Sequence, residues 1–383
     1  MECIYLNNAA SSFPKPPTVV QAVDDYLQQP PLHLSRGNST LVPYSHLQNN
    51  CRVVLAQLFN APVPNRLVFT SGATESLNLV LQGLHLKGKH VVTTCIEHNS
   101  VLRVLKTMER QQLIDLSIVP CAEDGKVELE VLDKYLKQET ALVVMSHCSN
   151  VTGAVNNITA IGQWLAAKDI LFVVDASQSA GIYSIDIQTA HIDALCFTGH
   201  KALGGLAGIG GLYLSDRMLP TPLKVGGTGS SSDLLYQPTT LPSYYEAGTP
   251  NWVGIVSLYE GVQYIQNIGL TTLRNKIHTT IQTIKKALAK YSNIQFYYPD
   301  NNASTILSFT IKGISNEDVG YLLAQNFNII VRTGLHCSPL IHQQIGSAPQ
   351  GTIRISPSYF TTTGEVDLFI AAMKEIMLIT EQH

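Results

Sequence analysis

The feature that most constrains the fold is a regular alternation of short β-branched runs with amphipathic stretches, which begins near residue 66. Alternation of this kind predicts an α/β fold in which a mainly parallel sheet is covered by helices on both faces. The predicted strands are residues 67–70, 90–95, 116–121, 142–147, 171–175, 194–198 and 208–215. The predicted helices between them are residues 75–84, 101–112, 129–138 and 158–168. Because ligands of such sheets bind at the carboxyl ends of the strands, we expect the chemistry in the loops that follow them.

The remainder of the chain predicts a second, smaller unit. Two long helical patterns, residues 253–266 and 272–290, are followed by a new alternation of strands and helices. The predicted elements there are strands at residues 305–311, 329–332 and 352–356, and helices at residues 318–325 and from Thr363 onward. A chain of 383 residues exceeds one ordinary core. We therefore expect a large domain over residues 16–265 and a small α+β domain formed by residues 1–15 and 266–383.

Composition excludes several classes of function. The net charge of −3 gives no basic surface for nucleic acid or anionic lipid. No apolar run reaches the roughly 18–20 residues of a membrane span, and polar residues occupy the N-terminal stretch where a signal peptide is apolar. The seven cysteines are scattered and form no CxxC pair, which indicates neither disulfides nor a zinc site. We expect a cytoplasmic protein without a bound metal, with no nucleic-acid or membrane partner.

The motif SGATES, which begins at Ser71, follows a predicted strand and opens a predicted helix. The backbone amides of Ala73 and Thr74 are then free to point at an anion, and a helix N-terminus preceded by glycine is a ready phosphate site. The alternative is a capped turn between strand and helix, which is the commoner meaning of such a motif taken alone.

Three other motifs also follow strands. Lys201 of TGHK stands where ligands bind, and lysine forms Schiff bases when its site lowers its pKa. Asp175 of VVDASQ ends a buried strand, where an isolated carboxylate is costly unless it is paired. A Schiff-base lysine with an acidic partner for the pyridinium nitrogen is typical of pyridoxal-5′-phosphate (PLP) sites. His98 of CIEHNS fits stacking on a flat ring or proton transfer, although a plain loop histidine is the alternative.

Together the motifs resemble those of the class V aminotransferase family of fold type I PLP enzymes, within it the cysteine desulfurase and selenocysteine lyase group. The resemblance runs almost end to end. Its motifs, in chain order, are YLNNAAS, SGATES, EHNS, HCSNVTG, VDASQSAG, TGHK, YEAGTPN, VRTGLHC and RIS-P-Y-F. It implies a seven-stranded large domain with a smaller α+β domain, and PLP as the cofactor.

The resemblance also implies roles for individual residues. Lys201 carries PLP as a Schiff base and then moves a proton at the substrate α-carbon. Asp175 pairs with the pyridinium nitrogen, Gln178 bonds the phenolic oxygen of the ring, and His98 stacks on the ring face. The residues implied to hold the phosphate are Ala73, Thr74, Thr198, His200 and, in a homodimer, Thr249 of the partner subunit. The residues implied to bind the substrate carboxylate are Asn150 and Arg354.

Cys337 distinguishes the subgroup. In the resembling desulfurases the cysteine of R-x-G-x-H-C takes the sulfur of L-cysteine, giving L-alanine and an enzyme persulfide. Such a cysteine works as a thiolate on a partly exposed loop, and Arg332 and His336 are the expected activators. The alternative is a buried structural cysteine, as we expect for the other six. Only sixteen residues separate Cys337 from Arg354, as in short-loop desulfurases that pass sulfur to a docked acceptor protein.

Departures from the family pattern leave alternatives open. Leu335 replaces the first histidine of a common HHC, and Ser35, Arg36, Gly37 and Asn38 match an R-G-x-H element only in part. The choice between L-cysteine and L-selenocysteine is therefore not decided. The predicted function is a PLP-dependent cysteine desulfurase. The alternatives are a selenocysteine lyase, another class V transaminase or C–S lyase, and a weakly catalytic sulfur-relay scaffold.

Overall fold

The structure, a computed structural model, describes residues 3–29, 46–229, 233–297 and 304–380. The strands are β1 (Ile4–Tyr5), β2 (Leu67–Thr70), β3 (Lys89–Thr94), β4 (Ile114–Val119), β5 (Thr140–Ser146), β6 (Leu171–Asp175), β7 (Ala194–Thr198), β8 (Gly210–Leu214), β9 (Ile294–Tyr297), β10 (Leu307–Ile311), β11 (Ile329–Ile330), β12 (Arg332–Gly334) and β13 (Thr352–Ile355). The helices are α1 (Pro17–Leu27), α2 (Leu47–Phe59), α3 (Ala73–Gly83), α4 (Asn99–Arg110), α5 (Leu129–Asp133), α6 (Ile158–Ala166), α7 (Trp252–Ile268), α8 (Leu270–Leu288), α9 (Asn316–Phe327), α10 (Pro339–Gln344) and α11 (Thr363–Thr380).

A seven-stranded sheet forms the centre of the molecule, in the order β2-β8-β7-β6-β5-β3-β4. Only β8 runs antiparallel to its neighbours, β2 and β7, so the mainly parallel sheet is confirmed. Successive residues alternate between two apolar clusters: Leu142 and Val144 belong to one, Val143 to the other. Both faces are therefore packed, as expected for a parallel sheet covered by helices.

Several helices begin where a side chain accepts a hydrogen bond from a free backbone amide. Asn157 Oδ1 accepts a hydrogen bond from the Ala160 N–H, and Asn251 Oδ1 accepts one from the Gly254 N–H. These N-caps start α6 and α7. In the described part of the chain, no helix combines the length and the apolar character needed to cross a membrane.

The predicted elements agree with the observed ones except in two places. The predicted strand at residues 329–332 is two strands, because β11 pairs with β1 whereas β12 pairs with β13 in a different sheet. The predicted helix at residues 129–138 ends at Asp133. It stops early because the N–H groups of residues 134–136 bond to carbonyls three residues back instead of four. The Lys137 N–H then donates to Thr140 Oγ1 at 2.8 Å, at the start of β5.

The second core lies around an antiparallel sheet in the order β12-β13-β10-β9. Ile4 and Leu6 from the chain start share this core with Leu307 and Phe309. Helix α8 joins the two cores, since Leu273 packs in the first core and other residues of the helix pack in the second. The small α+β unit is thus present. The division into residues 16–265 and residues 1–15 with 266–383 stays a prediction, which the shared packing of Ile4 and Leu6 supports.

Candidate active site

The loops after five strands of the large sheet meet at its carboxyl edge around one cavity of about 320 Å³. Strands β12 and β13 of the smaller sheet close the cavity from the other side. All predicted site residues line it except Cys337 and Thr249. The predicted residues in the lining are Ala73, Thr74, His98, Asn150, Asp175, Gln178, Thr198, His200, Lys201, Arg332, His336 and Arg354.

Lys201 faces the cavity just beyond the end of β7. Burial lowers the pKa of its amine to about 8, Asp175 opposes the shift, and Arg354 adds to it. An amine with this pKa is neutral in a sizeable fraction of molecules near pH 7–8. A neutral lysine amine is the form that attacks an aldehyde, so the site suits Schiff-base formation.

Asp175 ends β6, opposite Ser146 of β5. Its Oδ1 accepts hydrogen bonds from the Ser177 N–H at 2.8 Å and the Ser177 hydroxyl at 2.5 Å. Both bonds end on Oδ1, so they orient the carboxylate without using Oδ2. The residue is buried. A buried and oriented carboxylate fits a cationic ring nitrogen as its partner.

His98 is the N-cap of α4. Its Nδ1 accepts a hydrogen bond from the Ser100 N–H at 3.1 Å, so the proton of the neutral ring is on Nε2. Burial lowers the pKa of His98 below its ordinary value, with Lys201 acting in the same direction and Asp175 against it. The ring is therefore held in one orientation, and burial favours its neutral form, which suits stacking on an aromatic cofactor.

The turn from β2 into α3 is shaped for an anion. Gly72 is the N-cap of α3 and carries no side chain, so the first amides of the helix stay free of an internal cap. A Cβ on Gly210 of β8 would lie 2.6 Å from Gly72 Cα, which shows how closely the two backbones approach. Thr198 Oγ1 would lie 3.4 Å from a Cβ on Gly72, and His200, whose pKa burial lowers to about 4, lines the same cavity. These donors fit a phosphate group.

Arg332 and Arg354 stand directly opposite each other on β12 and β13. Like charges in opposed positions destabilise a sheet. Arg354 is buried; its Nη1 donates to Asn150 O at 2.9 Å, and its Nε has no hydrogen-bond partner. Among the described residues, no carboxylate forms an ion pair with either arginine. Two facing guanidinium groups without an anion fit a carboxylate ligand.

The model of the class V aminotransferase family matches residues 4–369. The chain belongs to this family. A probable cysteine desulfurase of Pyrococcus abyssi is 31% identical over 98% of this chain and 94% of that protein. A cysteine desulfurase of Cronobacter sakazakii is 30% identical over 97% of this chain and 93% of its own.

Solved structures with the same fold are cysteine desulfurases. The apo cysteine desulfurase of Thermococcus onnurineus NA1 superimposes with a TM-score of 0.87 at 30% identity, covering 98% of this chain and 94% of that one. A cysteine desulfurase of Escherichia coli has a TM-score of 0.88 at 25% identity, covering 98% and 95%. The family resemblance and the predicted fold class are confirmed.

Cys337, the expected nucleophile of the class V site, lies at the border of a second cavity of about 730 Å³. That cavity shares Thr74, His98 and Ser100 with the first. Arg332 Nη2 donates to Cys337 Sγ at 3.3 Å. Burial, with the charge of Arg354, lowers the pKa of His336 to about 2, so His336 is neutral and adds no charge near the sulfur. Arg332 is therefore the cation beside the half-buried thiol.

The other cysteines are free, and most of them are buried as expected. Cys121 is half-buried, and Cys3 is exposed, so the expectation of a buried structural cysteine was wrong for Cys3. Strand β1 is only two residues long, and its buried residue is Ile4, which leaves the neighbouring Cys3 facing solvent. Across the described ranges, no group of three or more His, Cys, Asp and Glu side chains converges as metal ligands do.

Thr249 lines a separate cavity of about 180 Å³. Ser71, Glu75 and Gly208 line both this cavity and the one with Lys201, so Thr249 is a neighbour of the site without facing it in its own chain. Its role in the site of a partner subunit stays a prediction. The partly matched element at residues 35–38 lies outside the described residues.

Glu97 is a fully buried residue next to the cavity lining, and the sequence interpretation did not single it out. The carboxyl group accepts hydrogen bonds from the Thr94 hydroxyl at 2.5 Å, the Ser146 N–H at 2.9 Å and the Ser146 hydroxyl at 2.7 Å. Burial raises the pKa of Glu97 to about 7, and the charge of Asp175 adds to the shift. The sequence feature that could have indicated Glu97 is its place directly before His98 in the motif CIEHNS. Lys15 was missed as well: its Nζ donates to His200 O at 3.1 Å.

Proposed function

We propose that the protein is a PLP-dependent cysteine desulfurase that transfers the sulfur of L-cysteine to Cys337 and leaves L-alanine. The observation that carries the proposal is the position of Cys337 Sγ, held by Arg332 beside the cavity that Lys201 and Arg354 line. A transaminase needs the lysine and the arginine but no thiol at this place. The curated relatives named as cysteine desulfurases support the same activity.

The residues of the cavity fit PLP. When bound, PLP supplies an electron sink that makes the α-proton of an attached amino acid acidic. Lys201 would hold the cofactor, and its amine would later move the α-proton. Asp175 would keep the ring nitrogen protonated, with His98 on the ring face and Gln178 near the phenolic oxygen. The residues that would hold the phosphate are Ala73, Thr74, Thr198, His200 and Thr249 of the partner subunit.

The arginines position the substrate. Arg354, with Asn150 beside it, would bind the carboxylate of L-cysteine, and Arg332 stands between this carboxylate site and Cys337. The Cys337 thiolate would attack the substrate sulfur. An S–S bond forms as the C–S bond breaks, the carbon keeps the electron pair and takes up a proton, and L-alanine leaves. The outer sulfur of the Cys337 persulfide would then be transferred to an acceptor protein. L-selenocysteine is the alternative substrate, and a cytoplasmic location stays a prediction.

Replacement of Cys337 tests the function. We expect Cys337→Ala to lower alanine and persulfide formation from L-cysteine by on the order of 10²-fold or more, because a covalent nucleophile is lost. Alanine from L-selenocysteine should be spared, because selenium leaves more readily without a thiolate acceptor. The measurement is amino-acid analysis of the products with peptide mass spectrometry of the sulfur adduct on Cys337.

A matched control is Cys121→Ala, since Cys121 is the other half-buried free cysteine and lies outside the cavity. This variant should keep the wild-type output. Near-normal alanine formation by Cys337→Ala would show that Cys337 is structural, and a keto acid product would indicate transamination.

A further inference from the structure

The loop that carries Cys337 has an unusual backbone. His336 and Cys337 are consecutive non-glycine residues with φ values of 51° and 63°. The left-handed region is unfavourable for a residue other than glycine, so two such residues in succession persist only where the surroundings hold them. Cys337 can therefore face Arg332 only if other parts of the chain hold the loop in this conformation.

The side chain of Asn150 bonds to both residues that flank Cys337. Its Nδ2 donates to His336 O at 2.7 Å, and its Oδ1 accepts from the Ser338 hydroxyl at 2.7 Å. The three residues are only 7%, 2% and 0% exposed, so water does not compete with these bonds. The Asn99 N–H adds a bond to Cys337 O at 2.8 Å. One amide thus spans the strained residues from both sides.

Asn150 is also bonded to the substrate side of the cavity. Its backbone carbonyl accepts from Arg354 Nη1 at 2.9 Å, and Asn150 itself lines the cavity. The arginine expected to bind the substrate carboxylate and the loop expected to attack the substrate sulfur are therefore attached to one residue. This arrangement fixes the distance between the two halves of the reaction.

We propose that Asn150, through its bonds to His336 and Ser338, is a positioning residue that holds the Cys337 thiol in its attacking place. This role rests on the proposed function of Cys337 and is additional to carboxylate binding, since one amide hydrogen of Asn150 remains beyond the bond to His336. A residue that only bound the substrate would not need hydrogen bonds to the residues on both sides of Cys337.

Ser338→Ala is the selective test, because Ser338 bonds to Asn150 but is fully buried and does not line the cavity. We expect the turnover number for alanine from L-cysteine to fall by on the order of tenfold, with KM within about twofold. Exchange of the α-proton of L-alanine in D₂O needs Lys201 but no thiol, so it should stay within about twofold of wild type. Ser338→Thr, which keeps a hydroxyl, should recover part of the loss.

Amide hydrogen exchange of residues 335–338, measured without substrate, is a second readout. It should accelerate in Ser338→Ala and in Asn150→Asp, whose carboxylate cannot donate to His336 O. The matched control is Ser257→Ala, which loses an equally buried hydroxyl and its bond of 2.7 Å to Gly254 O inside helix α7. It should leave exchange at residues 335–338 unchanged.

The outcomes separate the alternatives. Parallel loss of alanine exchange and desulfuration in Ser338→Ala would indicate general damage and overturn the proposal. Unchanged loop exchange and unchanged turnover would overturn it as well. If the wild-type protein makes no alanine from L-cysteine, the proposed function fails, whereas hydrogen exchange still decides whether Asn150 and Ser338 hold the loop.

Discussion

The ionisable side chains around the cavity have charge states that burial largely sets. Near neutral pH, His200 is neutral because burial lowers its pKa to about 4, whereas the pKa of Glu97 is raised to about 7. Lys201, with a pKa lowered to about 8, lies between its charged and neutral forms. The cavity therefore offers neutral donors to a phosphate and a reactive amine to an aldehyde.

Lys201 should be the one lysine that binds the cofactor covalently. We expect borohydride reduction of the PLP-loaded protein to leave a pyridoxyl adduct on Lys201, found by peptide mass spectrometry. Lys201→Ala should lose this link but keep some PLP through the phosphate contacts. Lys15→Ala is a stringent control, because burial lowers the Lys15 pKa to about 8 as well. An adduct on Lys15, or on no lysine, would contradict the assignment.

Glu97 should make the protein less stable as the pH rises. The folded pKa of about 7 exceeds the ordinary value of 4.5, so between these values the unfolded chain is ionised while the folded one keeps its proton. The free energy of unfolding therefore falls as the pH rises from about 4.5 to about 7. The total decrease is at most about 3 kcal/mol. Glu97→Gln mimics the protonated acid and avoids the loss.

Urea unfolding of the two proteins at about pH 5 and about pH 8 measures the effect of Glu97. The stability of Glu97→Gln relative to wild type should increase with pH. Histidines with lowered pKa values make stability increase with pH. They are present in both proteins, so their contribution cancels when the two free energies of unfolding are subtracted. A difference that stays constant would show that Glu97 is ionised in the folded protein throughout.

The elements around the turn from β2 into α3, which we expect to bind the cofactor phosphate, are closely packed. Strand β8 passes behind Gly72, and a Cβ on Gly210 would also lie 2.6 Å from Phe197 O of β7. Backbone atoms on both sides leave the added carbon no flexible neighbour to displace. The position of the α3 N-terminus therefore depends on a glycine in another element.

Gly210→Ala should weaken cofactor binding. The clash with Gly72 should shift the first turn of α3, lowering stability by about 1–3 kcal/mol and PLP affinity by on the order of fivefold or more. Absorbance titration with PLP and thermal unfolding measure the two effects. Gly364→Ala on α11 is the control, because its Cβ would meet nothing within 4 Å. Wild-type PLP affinity in Gly210→Ala would refute the dependence of the turn on β8.

At the scale of the whole molecule, the surface before Thr249 is unusually apolar. Leu235 is 95% exposed and Tyr236 is 88% exposed, with Leu234 and Val225 nearby in the chain. Exposed apolar patches of this kind often mark protein interfaces. The same segment leads into the YEAGTPN loop, whose Thr249 is expected to reach a second active site.

We expect a two-fold homodimer with shared sites, seen by light scattering as twice the chain mass. A mixed dimer of Lys201→Ala and Thr249→Ala chains adds a sharper test. If Thr249 acts across the interface, one of the two sites is intact and half of the wild-type PLP binding and activity returns. If Thr249 acts within its own chain, neither site is intact. A stable, PLP-saturated and active monomer would rule out the dimer.

Local sequence patterns were enough to predict the parallel sheet and the edge of the sheet at which the site lies. Both follow from local patterns, because strand periodicity is read over a few residues and the carboxyl ends of parallel strands must meet at one edge. Ala73, Thr74, His98, Asp175 and Lys201 were found in this way, since each ends a strand or follows one within a few residues. The resemblance of the motifs then supplied their expected roles.

The contacts between distant segments could be seen only in the folded chain. Arg332 lies opposite Arg354 because β12 pairs with β13. The sequence predicted one strand over residues 329–332, and that prediction could not show this pairing. The bonds of Asn150 to the Cys337 loop cross more than 180 residues of chain. Such contacts have no local sequence signature, because hydrogen bonds and burial depend on which side chains the fold brings together.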